Sequence, residues 1–531
     1  MSGDGRPRVV IMPGNDALSD ARVLKNLATA ARFGLDAIAI GVVRGGPGRE
    51  VRVGDARVVV VPVPPRVGAA GARAWLRRLG ALLRPWYATE SELKTARARL
   101  AYQVREASAP EGRARRDAGR EPLVDGAAPS AAPAALVRAR VLAGKVVVRL
   151  RALPLQRRRA REMRAHEETQ RSREREIARL RRGPGRVRWR TELPIAVDDE
   201  VVLGRMLDEL RPDLVHVHDV FMMGVAARAA ARAALAGRRM ALVYDAREYL
   251  PGLAHVPPRT VAAYCDLERE FIADFDRVLT VSAPLAELLR RDHRLRRLPD
   301  LVLNAPTVAP AADPPSVRRA AGVPDGVPLL VYAGGVNPAR GVQTVVEALA
   351  LLPGVHLAVV INRESHVTAE LARLAEQHGV ADRYHTAPFV PPEHVTQYFA
   401  SADAGLSPLL HVVNHDVALT NKFCEYLLAG LPVVTSDTPA QADIVRELGV
   451  GEVFSAGDAA DLARAVGLVL ADPAPYRAAV ARPEVQHRFS WDAQAAVLRD
   501  VYAELLGGLP DAAWAPDATR IGAVSPTEED R

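Results

Sequence analysis

The feature that most constrains this chain is a unit that recurs along it. A run of four to eight apolar, β-branched-rich residues is followed by a turn and then by a segment with helical spacing. The runs at residues 8–12, 36–43, 56–63, 213–218, 240–246, 277–282 and 301–304 form one series. A second series begins near Val327, with runs at 329–333, 356–361 and 433–436. Short continuous apolar runs separated by helices are the pattern of parallel strands buried on both faces. The predicted fold class is therefore α/β, with two doubly wound parallel sheets in tandem. A length of 531 residues suits two or three domains. In such sheets ligands collect at the carboxyl ends of the strands, and a cleft between two units is a natural place to hold one ligand.

Residues 86–191 interrupt this rhythm. Residues 108–133 are rich in Ala, Pro and Gly and read as a linker. Residues 138–190 carry 19 Lys/Arg against five Glu. That excess of 14 exceeds the net charge of +8 of the whole chain, so the basic character belongs to this block and the remainder is net acidic. Within 134–155, Leu and Val interleave with Arg and Lys as in a segment that lies on an anionic membrane surface. The glutamates between Arg161 and Arg182 also fit a solvated helical hairpin. No base-stacking aromatic cluster accompanies the charge, and no nucleic-acid partner is expected. Two cysteines, Cys265 and Cys424, suit a reducing compartment. With no secretory signal and no apolar run of about 18 residues, the expected location is cytoplasmic, with peripheral attachment to the inner membrane face through 134–190.

The stretch from Thr420 to Val434, TNKFCEYLLAGLPVV, carries the clearest chemistry. A helix starting at Thr420 or Asn421 presents unpaired backbone N–H groups and the positive end of its dipole to an anion. Lys422 adds charge for phosphates, and Glu425, one turn further on, can accept hydrogen bonds from sugar hydroxyls. The same two residues also read as a surface Lys–Glu pair worth a few tenths of a kcal/mol, and chemistry alone does not separate the two.

This stretch resembles the donor-binding signature of the family-4-like GT-B glycosyltransferases. The resemblance extends to YAGGVNPARG at 332–341, to HVHD at 216–219, YDARE at 244–248, Val281-Ser282, Asn304-Ala-Pro306 and the late helix from Ser490-Trp491. It covers roughly residues 7–85 and 196–507. It implies a GT-B fold, two Rossmann-like domains facing a cleft, with a basic, partly helical insertion in the first. The implied domains are 1–305 for the acceptor, with the insertion at about 86–191, and 306–488 for the nucleotide-sugar. A helix at 489–507 returns to the first domain, and a disordered tail covers 508–531.

The resemblance also implies the reaction: transfer of a sugar, with retention of configuration, from a nucleotide-diphosphate donor to a sugar, lipid-linked or small-molecule acceptor. No separate cofactor is expected. Gly334, Gly335, Arg340, Asn421, Lys422 and Glu425 are the expected donor contacts. Arg340 and Lys422 stabilise the leaving diphosphate, with Arg247 and Glu248 beside them as catalytic candidates. Gly14, Asn15 and Asp219 face the acceptor side of the cleft. Asp20 and Arg22 read equally as a helix cap and an exposed helix charge. His216 and His218 read as cleft-lining or core residues with no carboxylate close by, and no bound metal is expected.

The chain departs from the family at three positions. Val417 stands where a glutamate is usual, eight residues before Glu425, with Asn414, His415 and Asp416 as substitutes for its contacts. Arg247 stands where a histidine is frequent, and cannot act as a general base because it stays protonated. Gly335 replaces a second basic residue. Two other readings fit the same residues: a GT-B-shaped nucleotide-sugar epimerase, and a non-catalytic scaffold that kept the fold.

Overall fold

The computed structural model describes residues 5–64, 170–182, 186–254, 256–307, 314–361 and 365–510, together with Val146 and Leu150. Most of the insertion, including nearly all of its basic amphipathic part, and the tail from 511 lie outside the described residues.

The first sheet has eight strands in the order β3-β4-β2-β1-β5-β6-β7-β8. They are β1 (Arg8–Met12), β2 (Asp36–Val43), β3 (Arg49–Val53), β4 (Ala56–Pro62), β5 (Leu214–Val217), β6 (Ala241–Ala246), β7 (Arg277–Thr280) and β8 (Asp300–Leu301). Every pairing is parallel except β3 with β4, an edge hairpin. The hairpin is absent from the sequence reading because Arg49–Val53 is charged at three of its five positions and only Val53 is buried. The second sheet, wholly parallel, runs β11-β10-β9-β12-β13-β14. Its strands are β9 (Leu329–Ala333), β10 (His356–Ile361), β11 (Tyr384–Pro388), β12 (Ala404–Ser407), β13 (Val433–Ser436) and β14 (Gly451–Phe454). In both sheets the strand order reverses beside the first strand, so crevices open between β1 and β5 and between β9 and β12.

Twelve helices matter for the site. In the first unit they are α1 (Ala21–Arg32), α2 (Gln170–Arg181), α3 (Trp189–Glu192), α4 (Pro194–Leu210), α5 (Val220–Leu235), α6 (Pro258–Phe271) and α7 (Ala283–His293). In the second they are α8 (Val342–Leu349), α9 (Val413–Val417), α10 (Asn421–Leu428) and α11 (Pro439–Leu448). The last, α12 (Trp491–Leu506), packs Trp491, Ala495, Leu498, Val501 and Tyr502 into the core of the first sheet. The short helix α3 is sealed in by Trp189, whose indole N–H donates to Glu270 at 2.8 Å.

Two corrections concern buried charge. Arg22 is not an exposed helix charge. It is 1% exposed and grips Asp245 of β6 with two bonds of 2.6 and 2.9 Å, while donating to the Val302 carbonyl at 2.8 Å. His216 and His218 do have a carboxylate close by, and it is the same Asp245, 3.0 Å from His218 Nδ1. Burial works to raise the Asp245 carboxyl, but the Arg22 charge and the His218 bond outweigh it and hold it well below the usual range.

The chain crosses between the units twice, near 302–307 and again at 489–491, and the crossings lie side by side. The Trp491 amide donates to the Pro306 carbonyl at 3.3 Å. Lys25 of α1 reaches the forward crossing, donating to Asn304 Oδ1 at 2.9 Å and to the Ala305 carbonyl, and its ammonium lies 4.7 Å from the Trp491 ring centroid. Burial, together with the neighbouring Arg22 charge, lowers Lys25 to about 7.

Removing one partner of a fully buried ion pair strands the other, at a cost of about 3–5 kcal/mol. Arg22→Ala is therefore expected to lower unfolding free energy in urea by that amount. A loss below about 1 kcal/mol would show that Asp245 finds another partner.

Candidate functional site at the two switch points

The second unit supplies one wall of the site. β9 ends at Ala333, and the loop from Gly334 to Asn337 leads into a single helical turn, Pro338–Arg340, before α8. Gly341 has φ 68°, and a Cβ there would lie 1.8 Å from the Pro408 carbonyl oxygen, so only glycine lets this loop press against the end of β12. Gly334 is half-buried, Gly335 is exposed, and the Gly335 carbonyl accepts from the Tyr332 hydroxyl at 2.7 Å. Arg340 is half-buried and has no ion-pair partner among the described residues.

Thr420 caps α10, accepting from the Phe423 amide at 3.4 Å. Asn421 is exposed at the first helical position, with Lys422 behind it. Lys422 Nζ and Glu425 Oε2 are 2.6 Å apart. The Tyr426 hydroxyl, on the same helix, accepts from the Ala333 amide at 2.9 Å. This buried bond ties the helix to the end of β9, so the stretches 332–341 and 420–425 form one wall. Tyr426 was quoted in the sequence motif but given no role there, because a tyrosine in an apolar stripe looks like core.

The first unit supplies the facing wall from the ends of β1, β5 and β6. A Cβ on Gly14 would sit 2.7 Å from Asp219 Oδ2, so the loop after β1 closes directly onto the end of β5. Asp219 caps α5, accepting from the Phe221 amide at 3.0 Å. Burial pushes its carboxyl up to about 6. Asp20 caps α1 through one oxygen, and its other oxygen accepts from Arg247 at 2.8 Å and from Asn15 at 3.3 Å. Burial raises the Asp20 carboxyl and the Arg247 charge more than compensates, leaving it lowered. Gly14, Asn15, Asp219 and Arg247 thus converge, with Asp20 as the hub that the sequence reading treated as only a cap. Glu248 lies near Asp219, and its charge works to raise the Asp219 carboxyl. It is exposed and carries no ion pair among the described residues.

Behind this wall lies a buried polar seam. Asn26 meets His218 Nε2 at 3.1 Å, the His216 and His218 rings stack with centroids 4.3 Å apart, and His216 meets the Tyr502 hydroxyl at 2.8 Å. Burial depresses both imidazoles, so both are neutral near pH 7. His216, His218 and Asp245 place ligand atoms within 4.8 Å of one another. Asp245, however, already accepts from Arg22 through both oxygens, and a metal ion would have to displace that guanidinium or sit against it.

The departure at Val417, with Asn414 beside it, faces the opposite unit. Asn414 Oδ1 accepts from the Tyr249 amide at 2.9 Å, the Ser282 hydroxyl donates to the Val417 carbonyl, and the Val417 side chain packs on the core of the first unit. His415 meets the Leu410 carbonyl at 2.9 Å, and Asp416 meets His411 at 2.7 Å. The three residues suggested as substitutes for the missing glutamate are thus bonded to protein partners here.

Residues 315–485 match the sequence model described as "Glycosyl transferases group 1", and residues 152–301 match that described as "Glycosyltransferase Family 4". Together the two matches, one in each unit, support a GT-B glycosyltransferase of the family-4-like kind. It is similar to the D-inositol 3-phosphate glycosyltransferase of Xylanimonas cellulosilytica, at 29% identity over 244 residues, covering 45% of this chain and 54% of the relative. It is also similar to the 2-deoxystreptamine N-acetyl-D-glucosaminyltransferase of Streptomyces fradiae, at 28% identity over 332 residues, covering 58% of this chain and 75% of the relative. The chain spans little more than half the length of the D-inositol 3-phosphate relatives it matches, 54% and 59% in two of them. The GT-B fold is shared with the sucrose-phosphate synthase of Thermosynechococcus elongatus, with a TM-score of 0.57 at 14% identity, covering 94% of this chain and 99% of that one. It is shared also with the OtsA apo structure, with a TM-score of 0.52 at 12% identity over the same shares.

Because Asp219 has its carboxyl raised from 3.8 to about 6, the folded chain keeps a proton that the unfolded chain releases. Stability contributed by this group is present below about pH 4 and is lost as pH rises to about 6. Asp219→Asn keeps the cap but cannot titrate. The stability of the variant relative to the parent is expected to rise across pH 4–6 and then level off. A difference that stays flat in urea titrations at several pH values would show that Asp219 titrates normally.

Proposed function

We propose that this chain transfers a glycosyl group from a nucleoside-diphosphate sugar to a hydroxyl-bearing acceptor, with retention of configuration. The observation that carries the reading is the joined donor wall. The start of α10, with Lys422 and Glu425, is fixed by the Tyr426–Ala333 bond beside the glycine loop and Arg340. Backbone N–H groups at the helix start and two cationic side chains on one wall suit a diphosphate, and Glu425 suits ribose hydroxyls. The relatives named above are glycosyltransferases acting on polyhydroxylated cyclic acceptors by their names, which supports an acceptor of that general kind here.

In this mechanism the acceptor oxygen attacks on the face from which the diphosphate leaves, and the leaving phosphate takes up the proton. The chain's own task is electrostatic. Arg340, Lys422 and the helix N-terminus stabilise the charge that grows on the departing phosphate. Arg247 is held beside the cleft by Asp20 as a fixed cation, consistent with a reaction that requires no side-chain base. The epimerase reading would need paired acid and base carboxylates in the cleft. Asp219, whose carboxyl is raised, fits one such role. No helix among the described residues is long and apolar enough to cross a membrane. Attachment to an anionic surface rests on the charge of residues 134–190.

Glu425→Ala is expected to weaken UDP or GDP binding by about 10- to 150-fold, the equivalent of losing a charged hydrogen bond worth about 1.5–3 kcal/mol. Arg340→Ala and Lys422→Ala are expected to lower turnover of the donor, scored by mass spectrometry across a nucleotide-sugar panel, far more than they lower Tm. Nucleotide affinity that does not respond to Glu425, or an unmodified chain that binds neither nucleotide, overturns the reading in favour of a scaffold. Separately, sedimentation with anionic liposomes is expected for the full chain and to fade as salt rises. Equal sedimentation after deletion of 134–190 removes the membrane partner.

A further inference from the structure

The segment that follows β6, residues 247–254, is held from two directions by elements that do not belong to the first sheet. On one side is the donor unit. The backbone amide of Tyr249 donates to Asn414 Oδ1 at 2.9 Å, across 165 positions of chain. Gly252 lies against Val413, where a Cβ would come within 3.0 Å of the valine side chain. On the other side is the insertion. Arg173 of α2 donates to the Leu253 carbonyl at 2.6 Å and also to the Val256 carbonyl. The helix α2 lies along α6, with Ile177 buried in the core of the first unit. The segment itself begins with Arg247, which reaches the cleft hub Asp20.

A side chain from the inserted block and one from the opposite domain therefore hold the backbone that carries a cleft arginine. We propose that Arg173 and Asn414 are positioning residues for the acceptor-side wall, and that the insertion is thereby part of the machinery of the site rather than an appendage. The inference rests on the glycosyl-transfer reading for its consequence on turnover, but its structural core does not. Asn414 acts only when the two units are together, so the wall is in register with the donor side only in the closed arrangement. Arg173 acts whether the cleft is open or closed, so it sets the resting position of the segment. In place of a donor-contacting glutamate at 417, this chain has Val417 packed on the first unit and Asn414 bonded to it. The loop from 413 to 417 thus serves domain contact.

The test is backbone hydrogen exchange of the full chain, followed over peptides from 247–254, in Arg173→Ala and Asn414→Ala and in the conservative Arg173→Lys and Asn414→Asp. Each alanine variant is expected to speed exchange in this segment by about tenfold or more, at unchanged protection of β5 and β7. The conservative variants, which keep a donor or an acceptor at the same place, are expected to restore most of it. UDP affinity by calorimetry is expected to stay within about twofold, because the donor wall is untouched. With UDP-glucose as the probe, kcat for hydrolysis or transfer is expected to fall by about tenfold with KM little changed. Unchanged exchange at 247–254 in either alanine variant overturns the proposal, as does faster exchange spread through the whole first unit. Were the unmodified chain to bind no UDP, the glycosyl-transfer reading would fail while the exchange result still decided the positioning roles.

Discussion

The Arg22–Asp245 pair is the interaction on which the first unit's side of the cleft depends. Two charges removed from water stabilise each other only with near-ideal geometry and further bonds, and both conditions are met: the bidentate contact, the His218 bond and the Val302 carbonyl. The pair joins α1, β6 and the start of the crossing to the second unit. It fixes α1 so that Asp20 stands at the mouth of the cleft and Lys25 stands at the crossing. It fixes the end of β6 so that Arg247 emerges toward Asp20. Arg247, Asp20 and Asn15 are then arranged as a chain of charge and hydrogen bonds whose base is a buried ion pair.

The wall on the donor side has a different foundation. There the organising contacts are neutral: Tyr426 to the Ala333 amide, and Gly341 pressed against the end of β12. Neutral contacts leave Arg340 without an ion-pair partner among the described residues, whereas Lys422 is paired with Glu425. The two departures at 417 and 247 fall into place from the same geometry. Val417 is apolar because it faces the core of the opposite unit, and Arg247 is tolerated because Asp20 and the buried seam supply it with negative charge.

Much of this was legible in the residues, and the parts that were not share a cause. Continuous apolar runs announced the strands of the first sheet other than β3, and β9, β10 and β13 of the second, but not β11, β12 and β14; the Thr420 cap was legible because local chemistry decides it. The β3 hairpin was missed since its strand is polar and lies on an edge. The roles of Arg22, Lys25, Asn26 and Asp245 were missed since each depends on a partner some 190 to 280 positions away, and a charge on a helix gives no local sign of being buried. Glu248, a carboxylate at a strand end, is exposed and acts on Asp219. Asp20, read as a cap, is one, but its second oxygen has a longer reach than capping requires. Asn414, read as a stand-in for a sugar contact, instead meets the opposite domain.

The adjacency of the two crossings has a mechanical meaning. The chain leaves the first unit at 302–307 and comes back at 489–491, and the Trp491 amide is bonded to the Pro306 carbonyl. Topologically, the whole second unit is one long excursion from the first, with its exit and entry stapled together. A single linker would let the two bodies swivel and slide in any direction. Two stapled strands act as a door hinge: bending about the line across them is soft, while twist and translation are resisted. Lys25 is wedged at the jamb, its ammonium touching one strand and facing the indole of the other. Such a connection favours one bending motion of the second unit against the first over twisting or sliding.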